Sequence, residues 1–75
     1  MKKIGKVIHY FDKIGVAVVS LTQSLAVGDT VIIGGLTQVV SSMQLDHEPL
    51  EKAKKGDEVA IKVDQIVKEG MEVTK

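Results

Sequence analysis

The sequence has no cysteine, no tryptophan and no arginine, and only one proline, one tyrosine and one phenylalanine in 75 residues. Without cysteine there is no disulfide, no thiolate nucleophile and no cysteine-held metal, and the staples of small secreted folds are missing, so a reducing, cytoplasmic setting is expected. Without arginine the planar fork that grips phosphate or carboxylate in a bidentate way is lost, and with so few aromatic rings there is little for bases to stack on. Ten basic residues, all lysine, balance ten acidic ones. Zero net charge disfavours strong autonomous binding to nucleic acid. The basic start Met1-Lys2-Lys3 is followed by Lys6 before any apolar run develops, so neither a signal peptide nor a membrane span is expected.

Twelve valines and seven isoleucines stand against five leucines and four alanines. This bias to β-branched side chains suits pleated strands. Ile4–Phe11 and Ile14–Leu21 read as a hairpin around Asp12-Lys13 and Gly15. Thr30–Ile33 reads as a third strand ended by Gly34-Gly35, and Thr37–Leu45 as a fourth. Glu58–Asp64 alternates cleanly, with Val59, Ile61 and Val63 on the core face, and Met71–Thr74 closes as a last short strand. Asp46–Lys55 is open to two readings: one or two helical turns with Pro49 at the start and Gly56 at the end, or a loop strapped down by Leu50 and Ala53. Six strands and no long helix predict one all-β domain over residues 1–75, a small closed antiparallel barrel whose closure removes exposed edges.

Gly-Asp followed by apolar alternation occurs twice, at Gly28-Asp29 and Gly56-Asp57, and reads as one turn chemistry used twice; Gly70 punctuates a third time. With the residues between and after these turns, from Leu25–Gly35 through Leu50–Ile61 to Ile66–Met71, the chain resembles the barrel that forms domain 2 of elongation factor Tu and its relatives. It is also similar to the C-terminal barrel of collagenase-like peptidase-family proteins. The first resemblance implies a six-stranded barrel that meets RNA or ribosome in translation, weakly when alone. The second implies a protein-protein adaptor that supplies a peptidase-family protein with its barrel. Ser20-Leu21-Thr22-Gln23-Ser24 departs from the translational pattern, which has charged residues in that turn.

No G-x-x-x-x-G-K-[ST] loop is present, so GTP binding is not expected, nor any other cofactor. The candidate RNA or partner contacts are Lys13, His9 and the cluster Lys52, Lys54 and Lys55, set against the plainer reading of a solvated face interleaved with Glu48, Glu51 and Asp57. Asp46-His47-Glu48 places an imidazole between carboxylates, although adjacent charges in a loop are ordinarily surface. Ser41-Ser42 lacks the Gly-x-Ser-x-Gly context of a nucleophile elbow, and a non-catalytic module is expected.

Overall fold

The computed structural model describes residues 2–46 and 48–75. Among them the chain forms ten strands and no helix: β1 Lys3–Phe11, β2 Val16–Leu21, β3 Leu25–Ala26, β4 Thr30–Ile33, β5 Leu36–Val39, β6 Met43–Leu45, β7 Glu48–Leu50, β8 Lys52–Ala53, β9 Glu58–Lys62 and β10 Glu72–Thr74. The all-β expectation from the β-branched composition holds. The helical alternative over Asp46–Lys55 does not, because β7 and β8 occupy that stretch. Pro49 lies in β7, at the edge of the sheet, where a missing N–H costs no ladder bond.

The larger sheet runs β5-β4-β10-β1-β2-β9-β6-β7, and β3 pairs with β8 alone. The expected closed six-stranded barrel is corrected to an open half-barrel, because β5 and β7 are free ends of the ladder. The cause lies in the stretch read as one strand, Thr37–Leu45, which breaks at Val40. The Val40 N–H donates to the Asp29 carbonyl and its carbonyl accepts from Gly28 N–H, both at 2.8 Å. With Val40 drawn inwards, β5 stays on β4 while β6 turns to pair with β9. No ladder joins β5 to β9. Instead the buried Gln38 amide spans the seam: its Nε2 donates to the Lys62 carbonyl at 3.1 Å, and its Oε1 accepts from the Asp64 N–H at 3.4 Å.

The core gathers the inward residues of this curved sheet, among them Ile4, Val7, Val19, Leu21, Val31, Ile33, Met43, Ile61 and Val73, each at most 2 % exposed. On β9 the alternation reads as expected, with Val59 and Ile61 buried and Glu58 and Lys62 exposed. Gly5 is a close-approach position: a Cβ there would meet the Ser20 carbonyl oxygen at 2.7 Å and the Val19 Cγ1 at 2.8 Å. It stands at a register shift in the pairing of β1 with β10.

One turn geometry recurs three times. At Ala26–Asp29 and Lys54–Asp57 the last residue's N–H donates to the first residue's carbonyl at 3.1 Å, with Gly28 and Gly56 at φ 97° and 94°. That is a type II turn, whose third position favours glycine. The aspartate of each turn also accepts the first residue's N–H, Asp29 from Ala26 at 2.9 Å and Asp57 from Lys54 at 3.1 Å. Lys68–Met71 repeats the form with Gly70 at φ 92°, and there the Met71 sulfur takes the place of the carboxylate, accepting from Lys68 N–H at 3.3 Å. Each turn is gripped by one buried residue that both donates and accepts: Val40 for the first, Leu21 for the second, Val7 for the third. The repetition is thus of turn and clamp together.

Candidate functional site

The residues expected to meet RNA do not form one surface. Lys13 is exposed in the loop Asp12–Gly15 that joins β1 to β2. Lys52 lies in β8, and Lys54 and Lys55 in the turn ahead of Asp57. Because Leu21 bonds to Asp57 while Val16 pairs with Lys62, the turn and the loop sit at opposite ends of β2. Six strand residues at roughly 3.4 Å each separate them by about 20 Å. His9, on β1, has its Nδ1 3.3 Å from the Glu69 carboxylate and stacks on Phe11 with ring centroids 6.1 Å apart. A nearby carboxylate makes His9 a poor phosphate contact.

Of the triplet Asp46-His47-Glu48, His47 lies outside the described residues. Asp46 stands at φ 52° between β6 and β7, and Glu48 is exposed in β7. Among the described residues no three histidine, aspartate or glutamate side chains come together as a metal site. The segment Ser20–Ser24 borders a cavity of about 390 Å³ lined by Lys2, Ile4, Gln23, Ser24 and Lys75. The Lys75 ammonium is engaged there, bonded to Asp29 at 2.8 Å. This bond, joined by that from Ala26 N–H, holds the Asp29 carboxyl below its usual range against the opposing effect of partial burial.

A different surface stands out. In β2, Ala17, Val19 and Leu21 point into the core, which by strand alternation turns Val16 and Val18 outwards. With Phe11, Ile14 and Ala60 they line a groove of about 360 Å³ rimmed by Gln44, Asp46 and Glu58. Phe11 is 49 % and Ile14 65 % exposed, large apolar side chains turned to solvent beside one another. An antiparallel sheet with a wet face ordinarily carries polar residues there. This groove is the candidate binding surface of the chain. The signal was present in the sequence as a strand, Val16-Ala17-Val18-Val19, that is apolar on both faces. By itself that run does not distinguish an exposed apolar face from a fully buried strand.

No protein-family model matches the chain. Over an alignment of 73 residues that covers 91 % of this chain, it is 41 % identical to a protein of Methanocaldococcus jannaschii described as an uncharacterized protease, and it spans 18 % of that protein's length. It superposes with a TM-score of 0.94 at 23 % identity, over 100 % of both chains, on the crystal structure of the selenomethionine variant of the C-terminal domain of a Geobacillus thermoleovorans protein assigned as a U32 peptidase. A second structure of that domain gives 0.92 at 23 % identity, over 99 % of this chain and 91 % of the other. The fold is therefore that of the C-terminal domain of a peptidase-named protein, in line with the second of the two resemblances read from the sequence. These similarities lend no support to the elongation-factor reading or to the tRNA and RNA contacts that it implied.

Proposed function

We propose that this chain is a non-catalytic binding module of the U32 peptidase kind, one that docks on the rest of such a protein, whether that partner lies in the same polypeptide or in a second one. The observation that carries the reading is the apolar groove on the outer face of β2, where Phe11, Ile14, Val16 and Val18 remain open to solvent although the core behind them is filled. Covering such a face removes apolar area from water at about 25 cal/mol per Å². The similarity to 18 % of a longer protease supports it, since the greater part of that protein lies outside the matched region.

The chemistry of the chain fits a docking role better than a catalytic one. Ser41 and Ser42 are exposed in the segment between β5 and β6. The test is affinity capture from native lysate with the tagged chain and with the double variant Phe11→Ser, Ile14→Ser. Enrichment of a peptidase-family protein by the wild-type chain, lost in the variant, is the expected result. Enrichment of ribosomal proteins or tRNA, indifferent to the variant, refutes the proposal.

A further inference from the structure

We infer that the occupant of the β2 groove is an apolar segment carrying lysine or arginine beside its apolar residues. The inference rests on the docking role just proposed and specifies its chemistry. The floor of the groove is Val16, Val18 and Ala60, and among the described residues the charged groups lining it are the carboxylates of Asp46 and Glu58. Neither is ion-paired with a cation among the described residues. Lys62 stands on the same outer face directly opposite Val16, whereas Glu58 stands at the other end, opposite Ser20. The acidity is therefore local to the Asp46 and Glu58 end of the groove.

Three other occupants fit worse. A second copy meeting this face about a two-fold axis along β2 would set Asp46 and Glu58 of one molecule toward the same acidic end of the other, a like-charge arrangement that interfaces avoid, and about an axis across β2 it would offer those two carboxylates only the single Lys62 at the Val16 end. Nucleic acid and anionic lipid meet the same repulsion, and Phe11 is the one aromatic ring in the groove. Strand addition is excluded at the floor, because β2 is already paired on both sides, with β1 and with β9. The occupant therefore binds through side chains laid on a closed surface, with its cations reaching the rim.

The experiment is a methyl and amide NMR titration of the chain with three synthetic peptides that share one Leu- and Val-containing centre and differ in their flanks: lysine, serine or glutamate. The lysine-flanked peptide is expected to bind most tightly and the glutamate-flanked one least, with shifts at Val16, Val18 and Ala60. Raising the salt should narrow the difference. The double variant Asp46→Asn, Glu58→Gln, in which asparagine tolerates the positive φ at position 46, should cut the affinity for the lysine-flanked peptide by about threefold to fivefold, as expected for two exposed ion pairs, and leave the serine-flanked peptide unaffected.

Equal affinities, the reverse order, shifts elsewhere on the sheet, or no binding by any peptide overturns the inference. So do concentration-dependent shifts at the same methyls without peptide, which mean that a second copy fills the groove. The peptides need no peptidase. Their expected order together with failed capture supports the groove's chemistry and removes only the peptidase as its source. Successful capture without that order removes the inference alone.

Discussion

Replacing Gln38 by methionine removes the one side chain that joins the two sides of the sheet across the β5–β9 seam. Methionine keeps the length and flexibility of glutamine, so the change tests hydrogen bonding more than volume. Gln38 is 7 % exposed, and the variant leaves the Lys62 carbonyl and the Asp64 N–H without their partner. A buried group left unsatisfied costs about 1–3 kcal/mol. The Asp64 bond is long at 3.4 Å and Asp64 itself is exposed, so water can replace much of what that amide loses. One full penalty plus a fraction gives about 1.5–3 kcal/mol, and at roughly 4–8 °C per kcal/mol for a domain of this size the melting temperature should fall by about 6–24 °C. Gln38→Glu separates charge from shape. It removes the donor to Lys62 and places a carboxylate at a largely buried position, where desolvation raises its folded-state pKa above the unfolded value of about 4.3. Its penalty is therefore largest at neutral pH and shrinks as pH falls through the raised value, whereas the methionine variant shows no such recovery. Thermal and guanidinium denaturation at pH 7 and pH 4 reads both effects. A Gln38→Met protein within about 0.5 kcal/mol of wild type would refute the role given to the seam.

Gly28→Ala, Gly56→Ala and Gly70→Ala should each cost about 1–2 kcal/mol in denaturant melts, since each position has open space but a φ near 95°. Gly5→Ala, with no positive φ but with the Ser20 carbonyl at 2.7 Å from the new Cβ, should cost about 1–3 kcal/mol by overpacking alone; a silent Gly5→Ala would mean that β1 and β2 can part freely. The depressed Asp29 pKa predicts a stabilisation that is present above its ordinary value of 3.8 and fades as pH falls through the lower folded-state value. Melting curves of wild type and Asp29→Asn should therefore converge on acidification below that value and separate above it. Labelled tRNA should bind weakly, with a salt slope no steeper than about −2, because the candidate lysines lie at opposite ends of β2; nanomolar affinity that Lys13→Glu abolishes would reinstate an RNA surface.

Much of the fold was legible in the residues. The hairpin around Asp12–Gly15, the strand Thr30–Ile33 and the alternation of Glu58–Lys62 follow from local pattern, since one face of each strand must be apolar. The break at Val40 was not legible. Thr37–Leu45 is uniformly strand-like, and what bends it is a pair of hydrogen bonds to a turn eleven residues earlier in the chain. The same non-local cause opens the barrel, because a closed ladder needs β5 to continue where it instead turns inwards. At the third turn Gly70 was legible but its cap was not, because Met71 stands where the other two turns have aspartate, and a thioether gives no sequence cue for a cap. Of the candidate contacts, Lys13, His9 and the cluster Lys52, Lys54 and Lys55 were chosen by charge, which sequence displays, whereas the groove on β2 is an arrangement of valines that only the curvature of the sheet exposes.

The outer face of β2, proposed as a docking surface for a peptidase-family protein, is probed by methyl NMR of the chain alone and bound to the peptidase-family protein that it captures. The Ile14, Val16, Val18 and Ala60 methyl signals should shift or broaden in the complex, while methyls at the far end, such as that of Ala53 beside the lysine turn, stay in place. Unchanged signals at those four residues, with changes confined to the Lys52–Lys55 end, would contradict it.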